Sequence, residues 1–331
     1  MKMNIRKMIL EGPSAAFARP MRTDLAKMER NMLALCPGAG QLDTGLGRVI
    51  SAGGKRLRPL LAWTCWHLAG GKMPIVPLMT MLELMHTTSL IHDDYVDGAH
   101  TRRGAATINA TDGPMAAIRS GDYLLSCAMD YLKLYRGTGI NEALSEVSQE
   151  MCLGELDQHA ALFSADETSE EEYFLRIKRK TALLMAESCR SGAIAGGSSP
   201  TEAEALWNFG LHLGLAFQLR DDLTDFDPDS NSGKPPLKDL ESGVITLPLV
   251  YALQSGGEEL KKRIEKRDKE PQDLEYIASC VRQCGAMEKS RKKLQREGAA
   301  AEAALQMLPQ SAEKESLLLL AKSITEVNHS G

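Results

Sequence analysis

Aromatic residues are scarce in this chain: 3 Trp, 7 Tyr and 6 Phe make up 5% of 331 residues. Few rings are therefore on hand to stack on bases, and 39 Lys and Arg against 44 Asp and Glu leave a net charge of −5. Both facts argue against a general nucleic-acid binder. Long apolar runs are missing as well, none approaching the roughly 20 residues that span a bilayer. The opening stretch MKMNIRKMILEG has Lys and Arg but no long apolar core and no small-residue cleavage site, which speaks against a secretory signal. The 7 cysteines are scattered without a CxxC pair, so no disulfide framework is expected. Cys280 and Cys284, four apart, read as small core residues on one helical face. Sustained two-residue alternation and repeated βα units are also absent, which leaves little room for strands. What survives these exclusions is a soluble protein of a reducing compartment, expected in the cytoplasm. Its 43% hydrophobic and 25% charged residues are an ordinary globular balance.

Length alone, at about 150 residues per domain, predicts about two domains. The pattern along the chain argues instead for one all-α domain over residues 1–331. In 76–92 the apolar residues Leu78, Met81, Leu82, Met85, Leu90 and Ile91 follow a helical rather than an alternating period. Ser199-Pro200-Thr201-Glu202 is a capping-box start for a helix over 201–226. Thr168-Ser169-Glu170-Glu171-Glu172 opens another, with its acids near the positive helix end. Loops are expected at 37–40, 51–54, 98–114, 137–139, 196–200, 227–243 and 255–259, and none resembles a domain linker. The basic stretches 261–269 and 289–296 are interleaved with acids and read as solvated helix faces.

The chemistry gathers in two acidic clusters. Asp93-Asp94-Tyr95-Val96-Asp97 closes the apolar helix that begins near residue 76, and Asp221-Asp222-Leu223-Thr224-Asp225 closes the helix over 201–226. In each, the first and last acids share a helix face. Carboxylates grouped at a helix C-terminus repel one another and oppose the macrodipole, so each cluster suits a hard cation. Mg²⁺ fits best, because it takes one or two carboxylates and fills its octahedron with water and substrate phosphates. Cationic runs alternate with the acids: Gly53-Gly54-Lys55-Arg56-Leu57-Arg58-Pro59, Arg102-Arg103-Gly104 and Lys178-Arg179-Lys180-Thr181. Arg forks and Lys point charges hold phosphate oxygens, so the alternation describes a site for more than one diphosphate. Lys55 lacks both the upstream spacing and the following Ser/Thr of a Walker loop, which disfavours a nucleotide site.

The ordered series GGKRLRP, LIHDDYVDGAHTRRG, GDYLL, Gly154-Glu155-Leu156-Asp157-Gln158, KTA, FQLRDD-x-x-D and GK…TLPLVYAL resembles the trans-isoprenyl diphosphate synthase family over residues 51–253. The resemblance is strongest to its medium- and long-chain, hexaprenyl- and heptaprenyl-type members. It implies a single all-α domain of antiparallel helices around a deep central cavity, working as a homodimer or as a heterodimer with a small regulatory subunit. It implies that Asp93, Asp94 and Asp97, and Asp221, Asp222 and Asp225, bind Mg²⁺, three ions with diphosphate present. Lys55, Arg58, His86 and Arg103 match positions that grip isopentenyl diphosphate. Arg102, Lys180, Thr181, Gln218 and Lys234 match those that contact the allylic diphosphate, with Lys180, Thr181 and Gln218 taken as catalytic. The implied reaction is Mg²⁺-dependent head-to-tail condensation of the two diphosphates.

Product length is read from the helix that carries Asp93. Short-chain members place bulky aromatics four and five positions before the first Asp, where this chain has the small Ser89 and Thr88. At a rise of about 1.5 Å per residue the floor of a tail tunnel is then deeper, with Met85 and Met81 as candidates and a product longer than roughly 20 carbons. A short-chain farnesyl or geranylgeranyl synthase is the alternative. A class I terpene cyclase is more remote, because Asp225 stands where its second motif has Ser or Thr. A catalytically idle partner subunit would lack the aspartates. Pro236 and Leu237 stand where relatives often carry a glycine.

Overall fold

The computed structural model describes residues 15–36, 45–227 and 237–326. Lys234, the loop at 37–40, most of the loop at 227–243 and the opening MKMNIRKMILEG lie outside these. The helices in chain order are α1 (Ala15–Ala34), α2 (Gly45–Ser51), α3 (Leu57–Leu68), α4 (Val76–Val96), α5 (Ile108–Asp112), α6 (Pro114–Leu132), α7 (Ile140–Ala160), α8 (Glu170–Ile177), α9 (Leu183–Gly196) and α10 (Pro200–Asp225). They continue as α11 (Lys238–Glu241), α12 (Leu247–Leu253), α13 (Glu258–Glu265), α14 (Pro271–Gln283), α15 (Ala286–Ala304) and α16 (Ala312–Thr325). The all-α expectation holds.

Local chemistry explains where these helices start. Ser199 caps α10 as read from sequence, with the Glu202 amide donating to Ser199 Oγ at 3.3 Å and the Ser199 amide donating to Glu202 at 2.8 Å. Ser169 and Glu172 repeat the arrangement at α8. α9 and α10 are joined by three residues, so they run antiparallel as neighbours. Their backbones touch: a Cβ on Gly210 would come within 2.7 Å of the Ala186 Cα of α9, and one on Gly214 within 2.5 Å of the Cα of Ala182, the residue just before α9. α9 also packs on α3, α4 on α6, and α10 on α15. One core of buried side chains runs through these helices, from Met21 to Ile324. Cys280 and Cys284 are half-buried against it, and all seven cysteines are free.

The segment 98–114 is more than the expected loop. Thr101–Arg102 pairs antiparallel with Ala105–Ala106, and α5 follows, capped by Thr107. Two-residue strands are too short for alternation to show. The two turn residues Arg103 and Gly104 both have positive φ, 54° and 80°, as the tight hairpin turn that matches strand twist requires. No helix among the described residues is long and apolar enough to cross a membrane.

Candidate active site

α4 and α10 each end in an acidic cluster, and adjacent residues on a helix diverge by about 100°. The second acid of each pair is therefore turned inward. Asp94 is buried, and its Oδ1 accepts a hydrogen bond from Arg102 Nε at 2.6 Å. Asp222 is buried too. Its Oδ2 accepts from the Tyr173 hydroxyl at 2.6 Å and its Oδ1 from Gln218 Nε2 at 2.8 Å. Sequence grouped all six acids as metal ligands; in this structure both oxygens of Asp222 and one of Asp94 accept hydrogen bonds from protein donors. Asp97 is exposed at the end of α4, and Asp221 is exposed on α10. Asp225 closes α10 and accepts from the Lys238 and Asp239 amides at 3.1 and 3.3 Å, which ties α11 to the cluster.

Lys178–Ala182 forms a wide π-helical turn between α8 and α9. Such turns recur at functional sites because they splay neighbouring side chains. Here Lys180 Nζ donates to Glu155 at 2.8 Å and stands 3.9 Å from Asp93 Oδ2. The next residue, Thr181, donates to Gln218 Oε1 at 3.0 Å, and Gln218 leads on to Asp222. Two adjacent residues thus connect the two acid clusters.

The charges there are not balanced. Burial pushes Asp93 up to about 7 despite Lys180, with Glu155 and Asp97 adding to the rise. Burial likewise lifts Asp222 to about 7 against the hydrogen bonds from Tyr173 and Gln218. Burial works against the Lys180 ammonium, but Asp93 and Glu155 outweigh it and hold its proton more tightly than usual. Among the described residues no three His, Cys, Asp or Glu side chains already form a complete metal site. Carboxylates raised by burial and by one another are groups that a bound divalent cation would hold ionised, so Asp93 and its neighbours could serve as oxygen ligands.

The basic side chains gather around His86. Burial first, then Arg58, Arg103, Arg102 and Arg56, keep its imidazole well below its ordinary pKa, so it is neutral at pH 7 and can donate one hydrogen bond. Arg58 is buried at the start of α3, and that burial lowers it to about 10. Arg103 reaches back from the hairpin to donate to the Gly53 carbonyl. A Cβ on Gly54 would sit 2.5 Å from the Arg103 guanidinium, which is why the GGK run needs a glycine there. Lys55 lies over the Phe217 ring at 5.6 Å, one residue before Gln218 on α10.

Met81, Met85 and Thr88 are buried on α4. The Thr88 hydroxyl donates to the Gly121 carbonyl of α6 at 3.3 Å, while half-buried Ser89 donates to the His86 carbonyl at 2.9 Å. Sequence reasoning passed over Glu155 and Tyr173. Glu155 stood inside a quoted motif, but Tyr173 gave no signal, because its partner lies 49 residues away. An open groove of about 790 Å³ lies elsewhere, between the first half of α10 and the end of α15, and holds none of these residues.

Residues 41–281 match the family described as Polyprenyl synthetase. The chain belongs to this family. It is 34% identical to the octaprenyl diphosphate synthase of Escherichia coli over 90% of this chain and 94% of that protein. It is 33% identical to heptaprenyl diphosphate synthase component 2 of Bacillus subtilis, over 85% of this chain and 81% of that one. Among solved structures, the decaprenyl diphosphate synthase of Rhodobacter capsulatus superposes with a TM-score of 0.87 at 29% identity, covering 95% of this chain and 99% of that one. Like its family, the chain is a prenyltransferase with the all-α isoprenoid synthase fold.

Proposed function

We propose that the chain condenses isopentenyl diphosphate head-to-tail with an all-trans allylic diphosphate and extends the product beyond 20 carbons. The observation that carries this reading is the π turn, whose Lys180 and Thr181 connect an acid cluster on α4 to one on α10. A diphosphate lying between the clusters would meet Lys180, with the Arg102 guanidinium anchored close by on Asp94. Asp93 and Asp97 on one side and Asp221 and Asp225 on the other would hold Mg²⁺, as three ions with diphosphate bound, and the bound metal would supply positive charge to the departing diphosphate. Lys180 adds its own charge to the leaving oxygen as the allylic C–O bond breaks, and Thr181 and Gln218 fix where that oxygen sits. Lys55, Arg58, Arg103 and neutral His86 orient isopentenyl diphosphate so that its double bond supplies the electrons of the new C–C bond. A proton then leaves to the pyrophosphate just released, which serves as the base.

Long product length is supported by small Ser89 on the Asp93 side of α4 and by the chain-length names of the relatives. The chain is proposed to act as one domain and to associate, as a homodimer or with a small regulatory subunit. Met115 and Tyr123 of α6 and Leu153 and Leu156 of α7 are exposed apolar side chains available for this. The test is to incubate the purified chain with Mg²⁺, isopentenyl diphosphate and allylic primers, and to size the products by mass spectrometry. Products longer than 20 carbons, lost in Asp221→Ala, are expected. Products that stop at 15 or 20 carbons would favour the short-chain reading, and a cyclised hydrocarbon would refute the condensation.

A further inference from the structure

Four arginines surround His86, and two of them, Arg56 and Arg58, are buried. Like charges held this close repel one another, so such a group disperses unless something holds it between substrate visits. Glu83 is placed to do so. It lies on α4 one turn before His86 and is 2% exposed. Its Oε1 accepts from Arg56 Nη1 at 2.7 Å, while Arg56 Nη2 donates to the Ile50 carbonyl at 3.0 Å. Its second oxygen, Oε2, is buried without a hydrogen-bond partner, and so is Arg58 Nε. The Glu83 charge also opposes proton loss from both Arg58 and Arg103. Arg56 itself has a left-handed backbone, φ 52°, directly before α3, a conformation that is strained for a non-glycine residue. The ion pair therefore pins the strained junction from which Lys55 and Arg58 project.

We propose that Glu83 is a positioning residue for the isopentenyl diphosphate subsite: through Arg56 it fixes the start of α3 and keeps Arg58 and Arg103 facing an incoming diphosphate. This rests on the condensation reading above. A purely structural role predicts something different, because exchanging a buried ion pair for apolar residues of similar volume is often neutral for stability.

The experiment uses the full chain with Mg²⁺ and compares the parent, Glu83→Gln and the double variant Arg56→Met/Glu83→Leu. Initial rates are measured with each substrate varied against a saturating level of the other. The expected result is a KM for isopentenyl diphosphate raised about tenfold in both variants, with the allylic KM within about twofold of the parent. Three results would overturn the proposal: an unchanged or lowered isopentenyl diphosphate KM, a parallel rise of both constants, or a double variant that does not fold. The parent separates the two readings. A parent without condensation activity removes the function and this inference together, whereas an active parent with no split between the constants removes this inference alone.

Discussion

Replacing Tyr173 by Phe deletes one oxygen and tests whether the second acid cluster is held from behind. Tyr173 is fully buried, and its hydroxyl donates to Asp222 Oδ2 at 2.6 Å. The other Asp222 oxygen is held by Gln218 at 2.8 Å, and Gln218 is held in turn by Thr181. A hydrogen bond to a charged group contributes about 1.5–3 kcal/mol, and loss of a partner exposes a buried acceptor to most of that cost. Gln218 remains as a brace, so the lower end applies: about 1.5 kcal/mol, roughly a tenfold loss, in kcat/KM for the allylic substrate. Asp222 is covalently next to Asp221, so its rotation displaces the exposed acid proposed to hold Mg²⁺. The Mg²⁺ concentration for half-maximal rate should therefore rise in the same variant. Steady-state kinetics over allylic substrate and Mg²⁺, beside a thermal melt to show that the fold persists, measure both effects. A folded Tyr173→Phe enzyme with parental values for both would refute the view that Asp222 is an anchor steadied from α8.

Two further outcomes follow from single side chains. Counting back from Asp93 at about 100° per residue, Ser89 lies about 40° from the Asp93 face and Thr88 about 140° from it. Ser89→Phe should therefore shorten the product to roughly 15–20 carbons, while Thr88→Phe overpacks α4 against Gly121 at a cost of about 1–3 kcal/mol. Product sizing that finds clean shortening only in Thr88→Phe would reverse this assignment. On α9, Glu187 is 1% exposed and accepts from Ser191 at 2.7 Å, and burial lifts it from 4.5 to about 7. The folded chain then keeps a proton that the unfolded chain releases, so the stability tied to this group is present below pH 4.5 and lost as pH rises through 7. Glu187→Gln should stabilise the protein above pH 7 by up to about 3 kcal/mol and by little near pH 4.5; parallel melting curves across that range would refute it.

The parts of this molecule that were legible in the sequence are those whose causes are local. The helix over 76–92 announced itself by apolar spacing, the start of α10 by Ser199 and Glu202, and the acid clusters by simple adjacency. What stayed hidden depends on distant pairing. Tyr173 and Asp222 are 49 residues apart, Arg56 and Glu83 27, and Lys180 and Glu155 25. No window of sequence contains both partners. The inward turn of Asp94 and Asp222 follows from helix geometry alone, yet it needed the positions of Arg102 and Tyr173 to acquire a meaning. Leu237 is a further case. Its φ of 61° is the left-handed conformation that glycine adopts without cost, which nothing in its local sequence announces.

The π turn has no signature in Lys178-Arg179-Lys180-Thr181-Ala182, which contains neither glycine nor proline. Its cause lies in the helices on either side. A Cβ on Gly154 of α7 would come within 2.8 Å of the Arg179 Cβ, and one on Gly214 of α10 within 2.5 Å of the Ala182 Cα. α7 and α10 therefore close on the turn from two directions to a distance only glycine permits. Arg179 is tied to α7 by Glu150 and Asp157 at 2.8 and 2.7 Å. Thr181 is tied to α10 through Gln218. With its ends drawn toward different helices, the segment accommodates one extra residue per turn, and Lys180 is left facing Asp93 while Thr181 faces the second cluster. The link between the two acid clusters is thus bordered by two glycines outside them, Gly154 packed against Arg179 and Lys180 and Gly214 against Ala182.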